Sequence, residues 1–213
     1  MGAFARVWMA AVCLSPAAVL AQGVQIEVEE EEEETTVVTV ERRDRDWTVM
    51  GQAGVLAFVG EAARLTSPGP LYGIGFGAEL EQGINLELAY QGSTYRTEAG
   101  AAGGESGIVQ NGGQVAINLG PEFDNVYPFA QFGIQVSRLN VLRPTEAVRD
   151  ATMTWLPMGV GLSFSIPSDS PADINIGARG TYNFTLDAGA FPTVTEPGAA
   201  NQLAGSFLVG GRF

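Results

Sequence analysis

The chain has 213 residues, which suits one domain of ordinary size. Its 24 acidic and 11 basic residues give a formal net charge of −13, and the charged fraction of 16% is below the roughly 25% of an average soluble domain. The negative charge argues against nucleic acid as a partner. The absence of histidine removes the commonest general base and the commonest metal ligand.

Residues 1–21 have the layout of a secretory signal peptide. Arg6 precedes a largely apolar run that ends at Leu20, and cleavage after Ala21 suits such a leader. A lipoprotein anchor at Cys13 is the alternative, but cleavage there would leave half of the apolar run attached. We therefore expect the chain to be exported, and its mature form to contain no cysteine.

Residues 22–46 are strongly acidic and include an unbroken run of glutamates at 29–34. Like charges at this density repel one another, so the sequence predicts a disordered, solvated segment. Cation binding by the glutamate run is the alternative.

From residue 47 to residue 213, apolar and polar residues alternate with a period of two in eight segments. Clusters of Gly, Pro, Asp and Ser separate the segments, as expected for strands joined by turns. In chain order, the apolar faces of the eight segments consist of Val49, Ala53, Val55 and Val59; Tyr72, Ile74, Phe76, Ala78 and Leu80; Ile84, Leu86, Leu88 and Tyr90; Val115, Ile117 and Leu119; Ala130, Phe132, Ile134 and Val136; Leu156, Met158, Val160, Leu162, Phe164 and Ile166; Ile174, Ile176, Ala178, Tyr182 and Phe184; Leu203, Phe207, Val209 and Phe213.

The connections between the segments alternate in length. Three are short, around residues 82–83, 121–126 and 167–173, and four are longer, around 61–69, 97–106, 139–151 and 185–200. Short turns at one end and long loops at the other are typical of an up-and-down β-meander.

The composition of the two faces predicts which side of the barrel is dry. An eight-stranded barrel has a narrow interior, and the glycine-rich faces at 73–77 and 159–161 suit that crowded side. The bulky apolar face then points outward, to lipid. A soluble, lipocalin-like barrel would need the opposite arrangement. We therefore predict an all-β fold over residues 47–213, an eight-stranded antiparallel up-and-down transmembrane β-barrel.

Aromatic residues near the segment ends predict two girdles at the membrane surfaces. The girdle at the short-turn end would contain Trp47, Tyr127, Phe164 and Phe213. The girdle at the long-loop end would contain Tyr72, Trp155, Tyr182 and Phe184.

The leader, the eight alternating segments and the terminal aromatic residue resemble the small outer-membrane β-barrel proteins of Gram-negative bacteria, namely the transmembrane domain of OmpA and the OmpX type. The ending GSFLVGGRF is similar to the assembly signal of that family, with Phe213 in the place of the terminal aromatic residue. The resemblance implies an outer-membrane location with the N-terminal segment in the periplasm, and assembly by the barrel-assembly machinery.

The same resemblance implies a monomer surrounded by outer-membrane lipid and lipopolysaccharide. Enzymes among these barrels resemble one another in using a histidine, which this chain lacks. We therefore expect no enzymatic activity, no cofactor and no metal.

The charged residues of the polar face predict a network inside the barrel. A turn at residues 82–83 would bring Glu79 and Glu87 side by side, and two like charges in a narrow lumen need a cation between them. Arg179 lies at a similar depth, so we expect a network of these three residues. Arg212 would lie nearer the periplasmic mouth, paired with Glu81.

Arg96 and Arg138 fall on the apolar parity near the long loops. We expect them to contact lipopolysaccharide phosphates, the alternative being exposed residues at the loop bases. The sequence thus predicts a non-enzymatic outer-membrane barrel with a structural, envelope-integrity or surface-contact role. A narrow porin for small solutes and a soluble periplasmic lipid-binding barrel are the alternatives.

Overall fold

The computed structural model of the protein describes residues 47–97, 106–123, 125–144, 146–168, 172–187, 189–194 and 200–213. The predicted signal peptide (1–21) and acidic segment (22–46) lie outside these residues. Within the described residues, no helix is both long enough and apolar enough to cross a membrane.

The described residues form eight strands and one short 3₁₀-helix, Gly60–Arg64, which follows the first strand. Each strand pairs antiparallel with the next, and the eighth pairs with the first, so the sheet closes into a barrel. This confirms the predicted fold class. The strands are β1 Trp47–Phe58, β2 Gly69–Glu81, β3 Ile84–Thr97, β4 Ser106–Leu119, β5 Val126–Val141, β6 Ala151–Ile166, β7 Asp173–Thr185 and β8 Gln202–Arg212.

The tightest turn of the short-turn end joins β2 to β3 and depends on a glycine. Gly83 has a φ of 79°, in the left-handed region that favours glycine. A Cβ atom at this position would also collide with the carbonyl oxygen of Gly120, whose N–H donates to the Gly83 carbonyl at 3.0 Å. Gly83 therefore ties the first short turn to the end of β4.

In the half of the barrel next to the short turns, here called the lower half, the apolar face points outward. Ile74, Leu88 and Phe207 are 45%, 58% and 73% exposed, whereas Gln131 and Arg179 are buried inside. Glycine makes room in this narrow interior, since a Cβ atom at Gly161 would meet the ring of Phe129. The predicted assignment of the faces is confirmed for the lower half.

In the half next to the long loops, the upper half, the faces exchange character on the longest strands, β3 to β6. The interior there is apolar, with Tyr95, Ile108, Leu139 and Trp155 almost completely buried. The outward positions of the same strands are largely polar: Thr94, Arg96, Asn111, Arg138, Asn140, Thr152 and Thr154. The upper half on this side is therefore built like a water-soluble barrel, which the sequence reading did not anticipate.

Residues from the connections complete this upper core. Phe191 and Val148, which follow β7 and β5, are buried in it, as is Ala62 of the 3₁₀-helix. The ring of Phe58 packs against the rings of Tyr95 and Phe191, with centroids 5.0 and 4.9 Å apart. The described parts of the long connections are thus anchored over the end of the barrel by apolar packing.

Two members of the predicted girdles lie inside the barrel instead. Trp155 is 0% exposed in the upper core. The hydroxyl of Tyr127 points to backbone carbonyls at 3.1 and 3.2 Å, those of Asn118 and Gly83. Both residues alternate with the lipid-facing positions, which places them on the inner side. The exposed members are Trp47, Phe164 and Phe213 at the lower end and Tyr72 and Phe184 at the upper end.

Because the outward face of β3 crosses the boundary between the two halves, an arginine on that face is expected to destabilise the barrel in the lower half but not in the upper half. Replacing Leu88 by Arg is expected to lower the free energy of unfolding by about 2–4 kcal/mol, because the charge enters hydrocarbon. Thr94→Arg, on the same face of β3 but in the upper half, is expected to change it by less than about 0.5 kcal/mol. Denaturant unfolding of both variants in lipid vesicles measures this. Equal losses would contradict a lipid boundary between the two positions.

Candidate functional site

The centre of the lower lumen contains a buried ion pair, Glu87 with Arg179. Nη1 of Arg179 donates to both carboxylate oxygens of Glu87, at 2.8 and 2.9 Å, and each side chain is 4% exposed. Nη2 of Arg179 donates to Oε1 of Gln52 at 2.6 Å. We call Glu87 and Arg179 the inner pair.

Amide groups complete the surroundings of this carboxylate. Oε2 of Glu87 also accepts from Nδ2 of Asn118 at 3.0 Å and from Nε2 of Gln131 at 3.2 Å. Taking two charges out of water is costly unless they are paired and hydrogen-bonded, and this arrangement meets both conditions. The inner pair therefore neutralises the middle of the lumen.

Small neighbours on the adjacent strands make room for the inner pair. Glu87 lies opposite Gly77 on β2 and Ala116 on β4. Arg179 lies opposite Gly161 on β6 and Ser206 on β8. Because these partners lack bulk, the two long side chains can meet across the barrel.

A second cluster lies at the short-turn end. Arg212 donates from Nη1 to Oε1 of Glu122 at 2.9 Å and from Nη2 to Oε2 of Glu79 at 3.1 Å. These side chains are 20–25% exposed, so water reaches them. We call Glu79, Glu122 and Arg212 the mouth triad.

The structure therefore divides the predicted network into two. Glu87 lies opposite Gly77, and Glu79 lies opposite Asn85, because a bulge between Glu79 and Glu81 shifts the register next to the turn. Glu79 therefore lies level with Asn85, two residues closer to the mouth than Glu87, and it pairs with Arg212.

The expected partnership of Arg212 with Glu81 is also corrected, since Glu81 is exposed. Glu122 takes part instead, from the short connection between β4 and β5. The sequence reading missed Glu122. The signal that could have found it is an acidic residue in a short turn, at the end of the barrel where an inward arginine lies.

Further amides fill the lumen above the inner pair. Nε2 of Gln91 donates to Gln114, and Nε2 of Gln202 and the hydroxyl of Tyr95 both donate to Oε1 of Gln110, each at 2.9 Å. This layer connects the polar lower lumen to the apolar upper core.

Below the inner pair there is a cavity of about 70 Å³. Its lining includes all three members of the mouth triad, together with Glu87 and Asn118. This cavity offers a small molecule both room and polar partners.

The outer surface carries the two arginines predicted to contact lipopolysaccharide. Arg138 lies one outward position above Val136, and Nε of Arg138 donates to Oδ1 of Asn140 at 3.1 Å. Arg96 is exposed near the end of β3. Both side chains therefore lie on the polar exterior, above the apolar band.

The terminal residue closes the sheet at the lower end. Phe213 exchanges two backbone hydrogen bonds with Trp47, of 2.8 and 3.1 Å, and its ring is 60% exposed. The ring lies at the lower edge of the outer surface.

Comparison with solved structures identifies the type of barrel. Ail, the attachment invasion locus protein of Yersinia pestis, matches with a TM-score of 0.51 and 12% sequence identity, over 79% of this chain and 99% of Ail. The chain has the fold of a small outer-membrane β-barrel.

Two further solved barrels are similar at lower scores. The N-terminal β-barrel domain of Pseudomonas aeruginosa OprF matches with a TM-score of 0.45 and 14% identity, over 78% of this chain and 97% of that domain. Neisserial surface protein A matches with a TM-score of 0.45 and 16% identity, over 78% of this chain and 95% of that protein. No protein-family model matches the chain, and the search of curated proteins finds no similar sequence.

The inner pair predicts an asymmetry between single and double variants. Glu87→Gln is expected to lower the free energy of unfolding by about 3–5 kcal/mol, because Arg179 keeps a buried charge without its counterion. The exposed Glu81→Gln, which removes the same charge, is expected to cost less than about 0.5 kcal/mol. Denaturant unfolding measures both variants.

Removing both charges is expected to lower the free energy of unfolding by less than removing one. In Glu87→Gln/Arg179→Gln, neither side chain is a buried charge, so the double variant should be more stable than Glu87→Gln alone. If the double variant is less stable than Glu87→Gln, the unpaired charge of Arg179 is not what destabilises the single variant.

Proposed function

We propose that this protein is a non-enzymatic outer-membrane barrel with a structural or surface-contact role, present as a monomer. The observation that carries the proposal is the apolar exterior of the lower half around a polar lumen whose middle is closed by the inner pair. Hydrocarbon is the environment in which exposed side chains such as Phe207, Leu88 and Val209 are stable, and polar groups then face inward.

The orientation follows from the two ends of the barrel. In such proteins the short turns face the periplasm and the long loops face the outside of the cell. In this proposal residues 1–21 are a signal peptide, residues 22–46 are an acidic periplasmic segment, and Phe213 is read by the barrel-assembly machinery. The polar upper exterior of β3 to β6 then stands in water outside the membrane.

The closure of the lumen at its middle and at its upper end favours this role over a porin. The inner pair and the amide layer occupy its middle, and buried apolar side chains such as Trp155 and Phe191 occupy its upper end. The exposed apolar band argues against a soluble lipid-binding barrel, which would bury those side chains. The absence of histidine from the chain removes the residue that most often acts as general base.

We further propose that Arg96 and Arg138 bind lipopolysaccharide phosphates. Arg138 lies about 7 Å along the strand above the lipid-facing Val136, where phosphate groups of the outer leaflet are expected. Ail was crystallised with another polyanionic sugar, the heparin analogue sucrose octasulfate. An anionic sugar is therefore the class of ligand that we assign to the exposed arginines.

Fractionation and gel mobility test the proposed location. Folded protein is expected in the outer-membrane fraction and to migrate differently in dodecyl sulfate before and after boiling, because closed membrane barrels resist the detergent until heated. Recovery from the soluble periplasm would contradict the proposal. Steady conductance of the purified protein in planar bilayers would favour the porin instead.

Titration with lipopolysaccharide tests the two arginines. The double variant Arg96→Gln/Arg138→Gln is expected to bind lipopolysaccharide micelles about tenfold or more weakly, because charge-assisted hydrogen bonds to phosphate are lost. The difference should shrink in high salt. Arg64→Gln, which removes an exposed arginine of the 3₁₀-helix beyond the strands, is the control and should bind as the parent does. Equal losses in both variants would contradict a contact at the membrane boundary.

A further inference from the structure

The lower cavity brings a methionine side chain into contact with water inside the barrel. Met50 faces inward from β1, is half-buried, and lines the cavity below the inner pair. The side chains of the mouth triad, which line the same cavity, are 20–25% exposed at the short-turn end. Because water reaches the cavity from that end, the thioether of Met50 is open to a small reagent dissolved in it.

The neighbouring strand leaves room beside Met50. Met50 lies opposite Gly75 on β2, and Gly77, the next inward residue of that strand, lines the cavity. A Cβ atom at Gly75 would lie 3.7 Å from Cβ of Ala89, and one at Gly77 would lie 3.5 Å from Cβ of Thr48. These are ordinary van der Waals distances, so neither glycine is tightly covered. The cavity of about 70 Å³ therefore has room for roughly five water molecules, or for a small solute in their place.

The other two methionines outside the predicted signal peptide have different surroundings. Met153 is 0% exposed in the apolar upper core. Met158 is 43% exposed, but it lies on the apolar exterior between Leu156 and Val160, which faces hydrocarbon in the proposed location. A small polar molecule loses its hydrogen bonds on entering hydrocarbon. Of the three methionines, Met50 is thus the one that a polar reagent reaches through water.

We infer that Met50 is a site of oxidation by hydrogen peroxide that enters the barrel from the short-turn end. The thioether sulfur attacks one peroxide oxygen, an S–O bond forms and the O–O bond breaks. The proton of the transferred oxygen passes to the departing hydroxide, which leaves as water. The sulfur loses two electrons and the peroxide gains them. The one cysteine of the chain, Cys13, lies in the predicted signal peptide, so in the mature chain no thiol competes for the peroxide.

The product of this reaction suits the cavity. Oxidation converts an apolar thioether into a sulfoxide, whose oxygen is a polar acceptor. The lining of the cavity includes polar side chains such as Ser165 and Asn175, so a further polar group is compatible with it. A sulfoxide at Met153 would instead place a polar group in the apolar upper core. Oxidation of Met50 is therefore expected to leave the barrel folded. This modification is separate from the surface contacts of the long loops.

Peroxide treatment of the full chain, followed by peptide mass spectrometry, tests the inference. The protein is folded in lipid vesicles and exposed to hydrogen peroxide, and the gain of one oxygen is followed over time at each methionine. Met50 is expected to be oxidised at least about tenfold faster than Met153, because Met153 meets the reagent only when the upper core opens. In the chain unfolded in urea, the two rates should become similar, because both thioethers are then exposed.

Two variants locate the reaction. Met50→Leu removes the thioether with little change of volume and is expected to lose the fast oxidation. Met153→Leu, the matched control in the upper core, should keep it. Unboiled gel mobility checks that both variants are folded before treatment and that the wild-type protein is still folded after it.

Three results would overturn the inference. They are equal rates at Met50 and Met153 in the folded protein, fast oxidation that persists in Met50→Leu, and loss of the folded form when Met50 is oxidised. The first would mean that peroxide does not reach the cavity, and the second would place the reaction elsewhere. The third would mean that the cavity does not accommodate the sulfoxide.

The rate at Met158 separates this inference from the proposed membrane location, on which the comparison with Met158 rests. Slow oxidation of Met158 beside fast oxidation of Met50 supports both. Equally fast oxidation of Met50 and Met158 would contradict a lipid-facing position of Met158, while it would still support the inference about Met50.

Discussion

The boundary between hydrocarbon and water is the constraint on which the rest of this barrel depends. In hydrocarbon, every backbone N–H and C=O must be paired within the protein, and the closed sheet gives each strand a paired neighbour on both sides. The side chains then follow whichever solvent surrounds the wall. On β3 the outward residue is Leu88 in the lower half and Thr94 in the upper half, while the inward residue changes from Glu87 to Tyr95. The outer face of β3 is therefore apolar in the lower half and polar in the upper half, and its inner face changes in the opposite sense.

A polar lumen is a consequence of this arrangement. Charged side chains buried in it must be paired with one another, because water does not reach them. Glu87 and Arg179 come from strands that are distant in the sequence, and amides satisfy the oxygens that the guanidinium leaves available. Because each charge is stable only next to the other, the pair fixes how the two sides of the barrel meet. A buried pair of this kind contributes less to net stability than to the choice of one arrangement, since apolar replacements of similar volume are often equally stable.

The sequence predicted the closed barrel and the lower half because strict alternation identifies the outward face wherever that face is apolar. Leu88 and Phe207 were assigned correctly on that basis. Trp155 and Tyr95 were not identified as core, because their burial depends on the upper core and on Phe191 from a distant loop, which alternation does not reveal. Glu79 was paired with the wrong partner because a bulge next to Gly83 changes the register by one residue. Such local irregularities depend on backbone geometry that composition does not encode.

The two ends of the lumen differ in how firmly they are closed. At the upper end, buried apolar side chains such as Trp155, Met153 and Phe191 would have to leave a packed core before a path opened. At the lower end, the ion pairs of the mouth triad are partly exposed, and ion pairs in contact with water contribute only about 0.2–1 kcal/mol each. Small solutes can therefore exchange with the lower cavity far more easily than they can cross the barrel. The interior then behaves as a recess that opens toward the short turns. In the proposed orientation, contacts outside the cell depend on the surface of the upper half and its loops.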